Sequence, residues 1–336
     1  MRFGFHLSPR DIHAVGPIAR LGEELGFGVF AVGDVPSLSF DAFIALALAA
    51  TQTRRVRIGP TVTNTQTRHP LVLANLAATL DQLAPGRVFL GVGTGNSSVH
   101  HAGVRPATLA ELAGTIDVIR RLLNGEAVES GSAKMTIKSS GRRVPILLAA
   151  SGPKSLRLGG RVADIVLMNI GVLPEIVAEG LQWIREGAQA SGRDPDSVEV
   201  WVEAPLSISV DRAQAMDQAK IVAAGIASYA LRGDATAKRI PPPIREKTAE
   251  FLREYEYGEH LMPGHTSNYH LVDRLGIADY LVDRFTVAGA PEDCRRKLES
   301  LQAIGVKQVH FSVSGSPDRE ASVRLLGKTV VPALAG

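Results

Sequence analysis

Short, nearly unbroken apolar runs alternate along most of the chain with stretches in which apolar positions recur every three or four residues. Residues 2–8 (RFGFHLS), 28–34 (GVFAVGD), 56–64 (VRIGPTVTN) and 88–95 (VFLGVGTG) read as strands. Residues 11–26, 40–53, 70–83 and 106–123 read as helices, most plainly where Leu109, Leu112, Ile116, Ile119 and Leu123 share one face. The beat resumes with strands at 145–151, 164–171, 197–210 and 308–315. Their helices start at 153, span 174–191, 211–229 and 291–305, and end with a last one from 317. Pro70 and Pro153 suit a helix's first turn, where a missing N–H is no loss, and Asp211 suits an N-cap.

Continuous rather than alternating apolar runs belong to parallel strands buried on both faces. Eight strand–helix units predict an α/β fold, a closed (β/α)8 TIM barrel, with an open doubly wound sheet as the alternative. The expected organisation is a single domain over 1–336. Two stretches break the beat. Residues 125–144, with Gly125, Gly131, Ser139, Ser140 and Gly141, predict a short polar hairpin or excursion. Residues 231–287 hold the run Ile240-Pro241-Pro242-Pro243, a charged helix at 246–257 and a histidine-bearing loop, HLMPGHTSNYH (260–270). An insertion of this size before the last strand predicts a lid or an oligomer contact.

In a barrel the active site lies at the strands' C-terminal ends. Those ends are polar here: His6, Ser8, Asp34, Thr61, Thr63, Asn64, Thr94, Asn96, Ser151, Asn169, Glu203 and Ser314.

Composition narrows the function classes. With 45% hydrophobic and 21% charged residues in 336, the chain has the make-up of a soluble globular protein. Its 37 basic and 34 acidic residues are scattered, so a net charge of +3 makes no case for nucleic acid or an anionic membrane. The lone Cys294 excludes an internal disulfide framework and a thiolate metal cluster. The opening MRFGFHLSPR lacks a signal peptide's apolar run, and no stretch of about 18 apolar residues follows, so the expected location is cytoplasmic.

PILLAASGPKSLRLGG (145–160) is a strand, a tight turn and a helix start. Amide donors and the positive helix end there would suit a phosphate, although most such turns are ordinary connections. VFLGVGTGNSS has glycines at 91, 93 and 95 but does not complete G-x-G-x-x-G, and no helix is expected to start there at once. Its glycines either admit a planar ring or phosphate, or simply pack inside a barrel. His69, His100 and His101 lack metal-site spacing, and hydrogen bonding to an anion or substrate suits them better; the histidines at 260, 265 and 270 share one loop and are either plain surface or a structural metal site, and no metal is expected in the active site. Neither a G-x-S-x-G elbow nor a P-loop is present.

Several segments together resemble the bacterial luciferase-like oxidoreductases, closest to the deazaflavin-dependent methylenetetrahydromethanopterin reductase branch. They are the Asp34 strand end, IGPTVTNTQTRHP (58–70), GRVFLGVGTGNSS (86–98), PATLAEL (106–112), AASGPKSLRLGGRVADIVL (149–167) and RFTVAGAPEDC (284–294). The resemblance implies a barrel binding a reduced flavin or deazaflavin at the strands' C-terminal ends. It implies that Asp34 contacts the ring system or its side chain, and that Thr61–Val62 is a non-proline cis peptide supporting the ring. Asn64, Thr94, Gly95 and Asn96 would bond the ring and ribityl chain, while Ser151, Gly152, Pro153 and Lys154 would cradle the cofactor phosphate. A homodimer and a separate flavin or deazaflavin reductase are implied partners, with a small molecule as substrate.

Departures from the family's patterns matter equally. Its sugar-phosphate dehydrogenases carry a histidine after the strand-end aspartate and a glutamate after Thr-Gly, where this chain has Val35 and Asn96. Oxidation of a sugar alcohol would then lack its proton acceptor. The methanopterin reductases carry an acid where His6 stands; His6 is either a general acid/base beside the ring or a core histidine. With His6 and Asp34 as catalytic candidates, the expected activity is hydride transfer from reduced coenzyme F-420 to an unsaturated carbon or imine. The alternatives are a two-component monooxygenase using FMNH2 and oxygen, and a flavin-binding protein without catalysis. An isomerase-type phosphate barrel is the fallback.

Overall fold

The computed structural model describes residues 1–138, 143–260, 262 and 264–334. The first half alternates as expected: β1 (Arg2–Leu7), α1 (Val15–Glu24), β2 (Val29–Val32), α2 (Ala42–Gln52), β3 (Arg57–Pro60), β4 (Thr63–Asn64), α3 (Pro70–Leu83) and β5 (Leu90–Gly93). A short α4 (Ser97–His101) and α5 (Leu109–Leu123) follow, then the hairpin β6 (Val128–Ser130) and β7 (Ala133–Met135). The second half runs β8 (Ile146–Ala150), α6 (Pro153–Val162), β9 (Ile165–Met168), α7 (Pro174–Ala190), β10 (Glu199–Ile208) and α8 (Arg212–Ala230). Beyond the insertion come β11 (Val287–Gly289), α12 (Pro291–Ala303), β12 (Gln308–Ser312), α13 (Arg319–Thr329) and α14 (Val331–Leu334). Helix starts obey local chemistry: Asp41 and Asp211 cap α2 and α8, and Thr108 with Glu111 forms a capping box on α5.

The main sheet is parallel and runs β3-β2-β1-β12-β10-β9-β8-β5-β4, with β11 as a short appendage on β10. A parallel bridge between Ile58 and Val88 joins the two ends, so the sheet closes into the expected barrel rather than the open alternative. β3 and β4 occupy one barrel position, interrupted at Thr61–Val62, whose peptide is cis. Two glycines permit this closure: a Cβ on Gly59 would lie 2.2 Å from the Phe89 carbonyl oxygen, and one on Gly91 2.1 Å from that of Pro60.

Side chains alternate between the outside of the barrel and its interior. Outward residues pack beneath the helices in the main core, while Phe89, Leu147, Ile165, Leu167 and Trp201 fill the interior. Trp201 stacks on His310, and His310 on His6. Gly4 makes room for this column, since a Cβ there would lie 2.8 Å from His310 Nδ1. One period of two further along each strand, the interior turns polar: Trp201 gives way to Glu203, Leu167 to Asn169, Ala149 to Ser151 and His310 to Ser312. The barrel is plugged below and has a polar floor above.

The insertion carries α9 (Arg245–Glu254), α10 (Ser267–Arg274) and α11 (Ala278–Phe285). Ile240, Phe251, Tyr255, Leu271, Val272 and Leu281 join the upper half of α8 in a second core. Three sequence expectations need correction. Thr266 caps α10 by accepting from the Tyr269 amide, so the end of the 260–270 stretch is helical, not loop. Gly95 adopts φ +92° and turns the chain directly into α4, where no helix was expected. β11, three residues long, is a strand beyond the eight expected runs. The expected excursion at 125–144 contains the β6–β7 hairpin, while Ser139, Ser140 and Gly141 lie outside the described residues, as do residues 261 and 263 of the histidine stretch. No helix among the described residues is long and apolar enough to cross a membrane.

Candidate active site

A cavity of about 340 Å³ opens at the C-terminal ends of the strands, within the size range of small-ligand sites. It brings together His6, Asp34, Thr61, Val62, Asn64, Thr94, Gly95, Asn96 and Ser151, nine of the expected site residues. Gly152 and Pro153 line a smaller crevice beside it, and Lys154 is exposed and lines neither.

The start of α6 differs from the expected phosphate cradle in two respects. The amides of Ser151 and Gly152 already donate to Ser155 Oγ, at 3.3 and 3.1 Å. Lys238, from the insertion, donates to the Ser151 carbonyl oxygen. Pro153 has no N–H, so the donors that this turn retains are the amides of Lys154 and Ser155. Burial, with Arg284 nearby, lowers the Lys238 pKa to about 8.

Asp34 is buried, and its carboxylate accepts from Thr63 Oγ1 at 2.6 Å and from Arg68 at 3.1 and 3.2 Å. Arg68 also reaches Asp41 at 2.8 Å, so one guanidinium ties the end of β2 to the start of α2. Asn64 is similarly engaged: its oxygen accepts from Gln66 N, Thr67 N and Thr67 Oγ1, and its amide donates to Ser98. These residues shape the wall of the cavity. The three glycines of the fourth barrel strand divide their work: Gly91 permits closure, Gly95 permits the turn, and Gly93 lines the cavity beside Val62.

The floor is different. Buried polar atoms of Thr61 (Oγ1), Asn96 (Oδ1), Asn169 (Oδ1) and His6 (Nδ1) line the cavity without a hydrogen-bond partner. Such atoms are rare in a folded interior and mark a surface made to meet a polar ligand. His6 Nε2 lies 3.9 Å from Glu203 Oε1. Burial pushes the Glu203 carboxyl up to about 8, an Asn169 hydrogen bond opposing it, and burial lowers His6 to about 4. At neutral pH the pair is therefore a protonated acid facing an uncharged imidazole. His6 is buried and stacked on His310, and its Nδ1 has no hydrogen-bond partner.

Sequence reasoning placed Glu203 among the polar strand ends without giving it a role, and it missed Arg10, Arg68, Arg232, Lys238, His260 and Arg319. A charge inside WVEAPLSIS was the available signal for Glu203. Arg232 and His260 come from the insertion and line the mouth. Tyr257, under the Arg232 guanidinium, stacks on His100 of α4 at 5.0 Å. His260 accepts from or donates to Tyr255 at 2.8 Å, and burial lowers its pKa to about 4. Among the described residues no group of three or more His, Cys, Asp or Glu side chains is placed to hold a metal.

The sequence pattern of the luciferase-like monooxygenases matches residues 1–308. The chain is 29% identical to the 5,10-methylenetetrahydromethanopterin reductase of Methanolobus tindarius, over 98% of this chain and 100% of that protein. It is 28% identical to the coenzyme F-420-dependent glucose-6-phosphate dehydrogenase of Nakamurella multipartita, over 99% and 97%. The structure of the coenzyme F-420-dependent tetrahydromethanopterin reductase from Methanopyrus kandleri superposes with a TM-score of 0.79 at 27% identity, covering 99% of both chains.

Proposed function

This chain belongs to the luciferase-like monooxygenase family, and from that membership we propose that it binds reduced coenzyme F-420 and transfers a hydride to an unsaturated carbon or imine of a small organic substrate. The observation that carries this reading is the floor of unpartnered polar atoms beneath a cavity of small-ligand size. The similarity to proteins named as coenzyme F-420-dependent favours the deazaflavin over FMN.

The residues present fit such a cofactor. Thr61, Val62, Gly93 and Asn96 would hold its ring over the barrel, and the start of α6 its phosphate, through the amides of Lys154 and Ser155. When bound, the reduced deazaflavin supplies the hydride. The chain's own part is to orient the substrate and provide a proton. Glu203 is the group equipped for that, because at neutral pH it still carries a proton at Oε1 or Oε2, and His6 Nε2 stands beside it to pass the proton on or restore it. Asp34, held by Arg68 and Thr63, serves as a wall rather than a proton carrier. Residues 231–287 act as a lid in this reading, with Arg232 and His260 reaching the cavity.

The protein acts as a homodimer in this reading. Phe40, Ile44 and Leu48, spaced four apart on and before α2, are exposed together with Val72 of α3, and a second copy would cover them. A separate reductase supplies the reduced cofactor.

The test is anaerobic turnover: protein, reduced coenzyme F-420 and a panel of ketones, enones, cyclic imines and unsaturated acids, followed by the reappearing absorbance of the oxidised cofactor. Oxidation that depends on one member of the panel supports the reading. Oxygen uptake with FMNH2, and none of that oxidation, would replace it with the monooxygenase.

A further inference from the structure

The cavity has two ends, and strand order fixes their places. Around the barrel, the seam between β1 and β12 lies opposite that between β5 and β8, three strand steps away in either direction. Thr94, Asn96 and Ser151 stand at the β5–β8 side, next to the start of α6. At the opposite side the same cavity is lined by Ser8, Arg10, Ser312, Ser314 and Arg319.

Arg319 brings a guanidinium with spare donors to this second end. Arg319 is fixed by a 3.2 Å bond from Nη2 to the Ser314 carbonyl oxygen, which leaves most of its planar fork of donors available. Burial and then the neighbouring charge of Arg10 lower its pKa to about 10, with no carboxylate among the described residues acting against them. Across the mouth Arg232 stacks over Tyr257 and faces His100 at 3.5 Å. Of the acids that line the cavity, Asp34 is bound by Arg68 and burial pushes Glu203 up to about 8, so neither is placed to neutralise Arg319. A guanidinium with open donors in a concave site draws in anions.

We propose that Arg319, with Arg10 beside it and the hydroxyls of Ser8 and Ser312, forms a subsite for an oxyanion of the organic substrate, a carboxylate or a phosphate group. The assignment rests on the reading above, in which the cofactor's phosphate occupies the α6 end; with that end taken, the β1–β12 end is left for the substrate. A guanidinium fork matches two oxygens of a carboxylate or phosphate in one plane. The substrate class is therefore an unsaturated organic anion, its charged group held at the β1–β12 seam and its reducible bond over the floor near Glu203.

The test uses inorganic phosphate and succinate as probes, titrated by calorimetry into the protein with and without saturating coenzyme F-420. Wild type, Arg319→Gln and Arg319→Lys are compared. The expected result is saturable binding of one of the two probes to the cofactor-saturated wild type, and the probe that binds identifies the charged group. Arg319→Gln weakens that binding about tenfold or more, Arg319→Lys less, and both keep the wild-type cofactor affinity, which also shows that they are folded. The subsite is overturned if neither probe binds, if cofactor saturation abolishes probe binding, or if Arg319→Gln binds the probe as tightly as wild type. Should wild type fail to bind coenzyme F-420, the functional reading falls by itself. The cofactor-free titrations then judge Arg319 alone: probe binding lost in Arg319→Gln upholds the subsite, and unchanged binding overturns it.

Discussion

Nε2 of His6 and Oε1 of Glu203 stand 3.9 Å apart on the cavity floor, brought there by strands whose partnership runs through β12. With burial pushing Glu203 up to about 8 and lowering His6 to about 4, the pair carries one transferable proton and no net charge near neutrality.

Replacing Glu203 by Gln keeps the shape and removes the proton. We expect turnover to fall by about 10²–10⁴, the usual worth of a placed general acid, with cofactor affinity unchanged. The wild-type rate should also decline as pH rises through about 8, where Glu203 ionises. Steady-state rates across pH for both proteins check this, and equal rates in the two would refute the role.

The same group marks the pH dependence of stability. Between its ordinary 4.5 and about 8, folded Glu203 holds a proton that the unfolded chain has released. Its contribution to stability therefore falls as pH rises through that window. His6 acts at the other side: between 6.5 and about 4 the unfolded chain binds a proton the folded one refuses, so stability falls as pH drops. Urea unfolding should show Glu203→Gln gaining on wild type as pH is raised from about 5 to about 8. Parallel curves would contradict the assignment.

Arg68 has its side chain 20% exposed and is the counter-charge of Asp34, whose own side chain is 1% exposed. Arg68→Met leaves that carboxylate buried and unpaired, and should cost about 2–4 kcal/mol in urea unfolding. Asp41→Asn keeps an N-cap on α2 and should cost about 1 kcal/mol or less. A smaller loss for Arg68→Met than for Asp41→Asn would show that the Asp34 pair is not what the arginine supports.

The fold was legible because each barrel strand is a short apolar run, and the cavity because polar residues end those runs. What stayed hidden depends on closure and side-chain reach. Residues 6 and 203 become neighbours only because β12, from the far end of the chain, pairs with both β1 and β10, and no local pattern marks that meeting. Lys238 reaches the α6 turn from the insertion, and Ser155 Oγ takes two amides the turn was expected to offer. The cap that starts α10 was visible in Thr266-Ser-Asn-Tyr, but the surrounding histidines drew the reading towards a loop. Gly91 and Gly93 look alike in sequence; one faces a backbone carbonyl across the seam and the other lines the cavity.

The apolar stripe makes a prediction about assembly. Ile44, 60% exposed at the centre of Phe40, Ile44 and Leu48, should be covered in a dimer. Sedimentation should find wild type dimeric and Ile44→Asp monomeric or far weaker in association. A monomeric wild type at micromolar concentration would dismiss the stripe as an interface.

Equilibrium binding under anaerobic conditions shows whether this barrel holds a reduced deazaflavin. Reduced coenzyme F-420 and FMNH2 are titrated separately into the purified protein. We expect saturable binding of the deazaflavin with clear preference over FMNH2. Tighter binding of FMNH2, followed by oxygen uptake on exposure to air, would contradict it.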